Sequence, residues 1–108
     1  MKIPRNAIIS QAKLTQYLLV LKPRNDKSQF LAQAGFTLDN WQALETAIRD
    51  LILSNEAYED RTNEYGTFYN VSGKLKGLNS LDLSVVTIWL LRQHDGQFHF
   101  ITLKPGNK

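Results

Sequence analysis

The chain has no cysteine among its 108 residues. Disulfides, thiolate zinc sites and thiol nucleophiles are therefore excluded together. No run of eighteen apolar residues occurs either, since the longest largely apolar stretches are segments such as LLVL and VVTIWLL. A membrane-spanning helix, or a role in a membrane, is therefore not expected. Because the N-terminal MKIPRNAIIS lacks the apolar block of a signal peptide, the sequence predicts a cytoplasmic protein.

Histidine is scarce, with only His94 and His99, and Asp95 is the only carboxylate near them. A zinc site needs more ligands than this segment offers, so no metal ion is predicted. Neither a glycine-rich phosphate loop nor a Ser-His-Asp pattern can be recognised, and we expect no cofactor. The two histidines remain as candidate proton carriers near neutral pH.

The net charge is only +3 at pH 7, but the charges are unevenly distributed. Residues 1–28 carry six Lys and Arg against one acid, whereas residues 39–64 carry seven acids against two bases. Residues 65–108 are basic again, with five bases against two acids. Such separation fits a protein that meets a polyanion with one surface and presents an acidic surface elsewhere. A solvated surface with chance clustering fits it equally well.

Three helices are predicted in the first half of the chain. Ser10 can cap a helix over QAKLTQYLLVL, where apolar residues recur every three or four positions. Asp26 is the expected N-cap of a short helix over KSQFLAQA, which Gly35 would end in the left-handed conformation. Thr37 or Asp39 then opens a longer helix over NWQALETAIRDLILS.

After Asn55 the apolar period changes from 3.6 to 2, which predicts strands. Four are expected, over AYEDRT, GTFYNVSGKL, LSVVTIWLLRQ and QFHFITLK, and His94-Asp95-Gly96 forms a tight turn between the last two. The third is almost continuously apolar, which is typical of a central strand covered on both sides or nearly so. The pattern predicts one α+β domain over residues 1–108, with about three helices packed on one face of a four-stranded antiparallel sheet.

The last strand carries the residues that could do chemistry. In HFITLKP, the polar residues His99, Thr102 and Lys104 are interleaved with apolar ones. Strict alternation puts His99 and Thr102 on opposite faces of the sheet, and only a β-bulge would bring them to one face. Lys27 stands near a helix start, where the macrodipole disfavours a cation unless an anion is bound. A half-exposed strand histidine, β-propensity and a solvated lysine explain the same residues without function.

Between Ile3 and Pro105 the chain resembles a bacterial family of small domains of unknown function, the six-eight-eight-three type. The resemblance rests on four segments in the same order and spacing: NAIISQAKLTQYLL, KSQFLAQAGFTLDNWQAL, YGTFYNVSGKLKG and VVTIWLLRQHDGQFHFITLKP. Members of that family look like the toxin-type ribonucleases grouped with barnase, EndoU, colicin nucleases and RelE. The resemblance thus implies helices followed by an antiparallel sheet, with RNA and a small antitoxin-like protein as partners.

By the same resemblance, Lys27 matches a lysine of the family's second helix, and Thr102 matches the threonine of its final strand. Thr67 and Tyr69 match the family's YGT.Y strand. His99 has no secure counterpart, and the two residues before Lys27 are Asn-Asp where family members often carry a histidine. The resemblance therefore assigns the lysine and the threonine, and it leaves the proton carrier to be found in this chain.

Together these observations predict a metal-independent endoribonuclease of toxin type, in which the RNA 2′-hydroxyl attacks the adjacent phosphate. His99 is expected to be the acid or base, Lys27 to stabilise the phosphorane, and Thr102 with Tyr69 to orient the phosphate. The RNA backbone is expected to follow a set of polar and cationic residues: Arg24, Thr67, Lys74, Lys76, Arg92 and Lys104. The alternative is a non-catalytic module that binds RNA, or that binds a protein through the acidic segment 56–64.

Overall fold

The computed structural model describes residues 1–20 and 27–106. Arg24 and Asp26, which we predicted as an RNA contact and a helix cap, lie outside the described residues. The helical segments are α1 (Gln11–Lys13), a π-helical turn (Leu14–Leu18), α2 (Ser28–Ala32), a 3-10 turn (Leu38–Asn40) and α3 (Trp41–Ser54). None of the helices in these ranges is both long enough and apolar enough to cross a membrane.

The first helix differs most from its prediction. Ser10 lies at the N-cap of α1, but its side chain makes no capping hydrogen bond. After three α-helical residues the backbone widens, and the Leu19 N–H donates to the Leu14 carbonyl at 3.0 Å, five residues back. Leu14 and Leu18 are fully buried in this wider turn, with Tyr17 packed at the margin of the core. Single π-turns of this kind often occur where a helix serves a site.

Two local contacts set the start of the 3-10 turn that leads into α3. The Thr37 N–H donates to Asn40 Oδ1 at 2.8 Å, and Asn40 Nδ2 donates back to the Gly35 carbonyl at 2.9 Å. Thr37, and not Asp39, therefore opens this helical segment. Gly35 has φ +90°, so it takes the predicted left-handed position after α2, which L side chains rarely adopt.

The second half forms one antiparallel sheet whose strands are neighbours in chain order. The strands are β1 (Ala57–Asn63), β2 (Gly66–Leu75), β3 (Leu83–Arg92) and β4 (Phe98–Pro105). All four agree with the predicted strands to within one or two residues. The α+β class and the four-stranded antiparallel sheet are thereby confirmed.

The helical part is less regular than predicted, because the π-turn and the left-handed Gly35 divide it into short pieces. Only α3, in the middle of the chain, exceeds five residues among the described helices. The core lies between α3 and one face of the sheet, where its apolar residues pack with those of the strands. Its largest fully buried side chains include Trp89, Phe36, Phe100, Ile3, Leu44, Ile48 and Leu103.

Burial alternates along β3, so that one of its faces is fully covered and the other is covered only in part. Val85, Thr87 and Trp89 are buried, while Val86 and Ile88 between them are partly exposed. The strand is central, but its apolar residues on the second face border solvent. We call that second face, the one turned away from α3, the open face of the sheet.

The two edges of the sheet are different. Beyond Ala57 every residue of β1 is exposed. The edge of β4 is partly covered, because Ile8 forms a parallel bridge with His99. The Ile8 N–H donates to the Phe98 carbonyl, and the Phe100 N–H donates to the Ile8 carbonyl, both at 2.8 Å. The N-terminal segment thus runs beside the strand that carries the predicted site.

Candidate functional site

A β-bulge in β4 decides which of its side chains share a face. Thr102 pairs with Ile88 and His99 pairs with Leu90, and the register shift between them leaves Ile101 unpaired. Because Ile88 and Leu90 are two residues apart on β3, they lie on the same face of the sheet. The bulge therefore brings His99 and Thr102 to one face, the open one.

Lys27, Tyr17 and Thr102 form a compact group that we call the lysine cluster. Lys27 Nζ donates to Thr102 Oγ1 at 3.0 Å and to the Tyr17 hydroxyl at 3.3 Å. The Thr102 hydroxyl donates to the Leu103 carbonyl at 3.3 Å and lies 3.5 Å from the Tyr17 hydroxyl. Lys27 directly precedes α2, where its carbonyl accepts the Leu31 N–H at 3.0 Å. The cluster thus joins three separate elements of the fold.

The ammonium group of the lysine cluster is only half-buried, and its described partners are neutral hydroxyls. Within residues 1–20 and 27–106, no carboxylate lies within ion-pair distance of Lys27. A lysine ammonium has three donors, and two of them are occupied here. As far as the described residues go, a third donor and the positive charge of Lys27 are left for an anion such as phosphate.

His99, Asp95 and Arg92 form a second group, the histidine cluster. His99 Nε2 lies 3.0 Å from Asp95 Oδ2 and 3.2 Å from Arg92 Nη1, and Arg92 Nη1 lies 3.6 Å from the same carboxylate oxygen. The turn before β4 positions Asp95, because its Oδ1 accepts the Gln97 N–H at 2.9 Å. Asp95 therefore links the geometry of the turn to the orientation of the imidazole.

The pKa of the Asp95 carboxyl is lowered below its ordinary value. The main cause is the hydrogen bond from the Gln97 N–H; partial burial opposes it, and the contacts with His99 and Arg92 add to it. Asp95 is thus ionised at neutral pH. His99 Nε2 lies within hydrogen-bond distance of both this carboxylate and the Arg92 guanidinium, so it donates to Asp95 in one tautomer and accepts from Arg92 in the other. Among the described residues the other ring nitrogen, Nδ1, makes no hydrogen bond.

Two neighbouring pockets along β4 form a trough that borders the two clusters. One pocket, of about 440 Å³, is lined by Tyr17 and Thr102 of the lysine cluster, and the other, of about 290 Å³, is lined by His99 and Arg92 of the histidine cluster. The shared wall consists of Ser10, Lys13 and Ile101. Because His99 and Thr102 occupy register positions two β3 residues apart, about 7 Å of strand separates them. One phosphate with its flanking oxygens spans such a distance, and we call this trough the β4 groove.

Tyr69 and Thr67 lie apart from the β4 groove. Tyr69 pairs with Trp89 on the face covered by α3, and its ring packs edge-on against Phe98, with centroids 5.4 Å apart. The Thr67 hydroxyl contacts the Thr62 hydroxyl at 3.0 Å near the β1–β2 hairpin. The phenol beside Lys27 and Thr102 belongs to Tyr17, which helical spacing had placed in the core.

The predicted RNA contacts are spread over the molecule. Lys74 and Lys76 line a groove of about 290 Å³ beside α3 with Asp50. Lys104 is exposed on β4, opposite Val86. Of the predicted RNA contacts within the described ranges, only Arg92 lines the β4 groove.

Three residues of the site were not predicted from the sequence: Tyr17, Lys13 and Asp95. The spacing of Asp95 and His99, four residues apart across a tight turn, was the available signal for the histidine cluster. No comparable signal marks Tyr17, because its role depends on the π-turn. Among the described residues no group of three His, Asp or Glu side chains could hold a metal ion.

The fold recurs in a solved structure that is similar over nearly its whole length. That structure is a contact-dependent growth inhibition toxin–immunity protein complex from Klebsiella pneumoniae 342, of which one chain superposes with a TM-score of 0.73. The alignment covers 95% of this chain and 96% of that chain at 19% identity, so the likeness shows a shared fold. No curated protein is similar enough to match. The family model described as domain of unknown function (DUF6883) matches residues 3–107, and the chain therefore belongs to that family.

Proposed function

We propose that this domain is a metal-independent endoribonuclease of toxin type whose active site is the β4 groove. The observation that carries the proposal is the contact of Lys27 Nζ with Thr102 Oγ1, on the same strand and the same face as His99 with its Asp95 partner. Lys27, a cation suited to an anion, and His99, a proton carrier held by Asp95, are thus separated by about the span of one phosphate group. These are the two kinds of group that cleavage of RNA at its own 2′-hydroxyl requires.

In the proposed reaction the 2′-oxygen of the RNA forms a bond to the adjacent phosphorus, and the bond from phosphorus to the 5′-oxygen breaks. His99 takes the 2′ proton through Nδ1, while Asp95 stabilises the resulting imidazolium through Nε2. The leaving 5′-oxygen takes a proton from water. The products are a 2′,3′-cyclic phosphate and a 5′-hydroxyl, and proton transfer by one side chain typically contributes about 10²–10⁴-fold to such a rate.

The lysine cluster supplies the electrostatic part of the proposed reaction. Lys27 donates to the non-bridging oxygens, on which negative charge accumulates in the phosphorane. Thr102 and Tyr17 accept hydrogen bonds from Lys27, hold its ammonium group in place and thereby orient the phosphate through Lys27. We therefore assign to Tyr17 the role that the sequence alone suggested for Tyr69. Arg92 and Lys13, which line the groove, are proposed to contact the RNA backbone.

The structural neighbour bears on the proposal through its partner. That neighbour is a complex of a toxin with an immunity protein. For this domain we propose a small antitoxin-like protein that covers the β4 groove and blocks access of RNA. A nuclease that acts on cellular RNA needs such an inhibitor in the cell that makes it.

Growth after induced expression in bacteria tests the proposal. We expect wild-type protein to arrest growth, Lys27→Ala to abolish the arrest, and Lys2→Ala to preserve it. Lys2 is a matched control, because it is an exposed lysine that donates to the Leu53 carbonyl at 3.1 Å, outside the groove. Soluble protein levels and circular dichroism of the three proteins must agree. Equal arrest by wild type and Lys27→Ala would contradict the proposal.

A second candidate function is a non-catalytic module that binds a protein partner through β1. The edge of β1 is exposed, and Glu59 and Asp60 belong to the acidic segment 56–64. Extended segments of a basic partner can pair with such an edge. Complete absence of RNA association, together with a partner whose binding is lost when Glu59 and Asp60 are replaced by lysine, would favour this function over the nuclease.

A further inference from the structure

The strand register sorts the charged side chains of the sheet between its two faces. Arg61 pairs with Phe68, and Glu59, on the other side of the β1 bulge, pairs with Tyr69 on the face covered by α3. Asp60 is the unpaired bulge residue between them. The charged residues at paired positions of the open face are cationic: Arg61, Arg92, Lys104 and Lys74, which also borders the groove beside α3. Asp95, in the turn before β4, offsets the charge of Arg92. This face suits a polyanion, although the domain as a whole carries only +3.

Two flat groups occupy the β1 end of the open face. The guanidinium carbon of Arg61 lies 4.7 Å from the centroid of the Phe68 ring, within the range of a cation–π contact. Tyr58 pairs with Asn70 in the neighbouring cross-strand row, and the residue is 70% exposed. Aromatic rings and arginine planes are the surfaces on which proteins stack unpaired bases.

Cross-strand rows lead from these flat groups to the proposed active site. Arg61 pairs with Phe68, Phe68 with Leu90, and Leu90 with His99. The neighbouring row runs through Tyr58, Asn70, Ile88 and Thr102. Both rows cross four strands, and three inter-strand spacings amount to about 14 Å. A few nucleotides of single-stranded RNA span that distance, so a base on β1 and a phosphate at β4 belong to one short segment.

We infer that the open face binds single-stranded RNA, with bases stacked on Tyr58 and on the Arg61–Phe68 pair while the backbone crosses the sheet to the β4 groove. The inference rests on the proposed nuclease function and names its substrate class. A duplex is excluded from this mode of binding, because its bases are already stacked on one another and paired. The apolar residues Val86 and Ile88 on the same face remain partly exposed, as a surface for bases and riboses requires.

Anisotropy of a labelled, unstructured 2′-O-methyl RNA of about ten nucleotides measures binding without cleavage, because this RNA has no 2′-hydroxyl nucleophile. Tyr58→Ala and Arg61→Ala should each raise the Kd roughly 5- to 150-fold, the range for loss of one stacked base. Arg61→Lys keeps the charge but not the plane, so it should not restore the affinity. Tyr65→Ala is the matched control, since Tyr65 is 64% exposed but lies in the β1–β2 hairpin. The wild type should prefer this strand to the same strand annealed to its complement.

Unchanged affinity in both Tyr58→Ala and Arg61→Ala would overturn the inference, as would full rescue by Arg61→Lys or tighter binding of the duplex. Parallel incubation with ordinary RNA separates this result from the proposed function. If the wild type cleaves RNA but the β1 variants bind it normally, the stacking inference is rejected and the nuclease function is retained. If binding depends on Tyr58 and Arg61 but no cleavage occurs, the nuclease function is rejected and the domain is a non-catalytic RNA-binding module that stacks bases on this face.

Discussion

The buried hydroxyl of Thr87 is expected to stabilise the strand pair that carries the site. Its Oγ1 donates to the Val71 carbonyl at 2.9 Å and accepts the Trp89 indole N–H at 2.8 Å. Thr87 and Trp89 are both completely buried. The indole in turn packs edge-on against Phe100, between His99 and the bulge, with ring centroids 5.3 Å apart. Thr87 thus holds the Trp89 indole in place, and this indole packs against Phe100 at the centre of β4.

Replacing Thr87 by valine keeps the shape of the side chain and removes both hydrogen bonds. An unsatisfied buried donor costs about 1–3 kcal/mol, and the lost bond to Val71 adds about 1 kcal/mol. We therefore expect Thr87→Val to lower the free energy of unfolding by about 2–4 kcal/mol. At about 4–8 °C per kcal/mol for a domain of this size, the melting temperature should fall by at least about 8 °C.

Urea and thermal unfolding followed by circular dichroism measure this change, with Thr87→Ser as the control. Serine keeps the hydroxyl and loses one methyl group, so it should cost only about 1 kcal/mol. A Thr87→Val protein as stable as Thr87→Ser, or more stable, would refute the reasoning, because the hydroxyl would then contribute nothing beyond its neighbouring methyl.

Two further predictions concern the turns that position the strands. Because the pKa of Asp95 is lowered in the folded protein, its ionised form adds stability above the ordinary pKa of 3.8, and this stability is lost as the pH falls through the lower folded value. Asp95→Asn should therefore be less stable than wild type at neutral pH, and urea unfolding should show the difference closing as the pH falls below 3.8; a constant difference would contradict the linkage. Gly66 has φ +143° and a Cβ there would lie 2.0 Å from the Leu91 carbonyl oxygen, whereas Gly96 has φ +67° and open space around it. Gly66→Ala should lower the free energy of unfolding by at least about 2 kcal/mol, and Gly96→Ala should lower it by about 1 kcal/mol. If thermal unfolding showed the same loss of stability for both variants, this reasoning would be refuted.

The strands were predictable because their signals are local. Alternating aromatic and β-branched residues marked β2 and β4, and the turn at His94-Asp95-Gly96 set the hairpin that joins β3 to β4. The burial of β3 was not predictable to the same degree, because an apolar residue such as Ile88 has the same sequence signature on a covered and on a half-open face. What covers a strand is decided by elements far away in the chain.

The site depends on contacts that no local pattern encodes. Lys27 and Thr102 are 75 residues apart, and their contact follows from the way the segment before α2 meets the edge of the sheet. The position of the bulge at Ile101 depends on how β4 pairs with β3, so alternation alone placed His99 and Thr102 on opposite faces. Tyr17 reaches the cluster from the π-turn, which a periodicity of 3.6 does not reveal.

Cleavage of RNA by the purified protein in the presence of a chelator tests the central claim most directly. Wild type, His99→Ala and His94→Ala should be compared, because His94 is an exposed histidine in the adjacent turn and thus a matched control. The account predicts that wild type and His94→Ala cut total RNA to fragments with cyclic-phosphate and 5′-hydroxyl ends. His99→Ala should be folded and about 10²–10⁴-fold slower. Intact RNA at stoichiometric wild-type protein, or full activity of His99→Ala, would contradict the account.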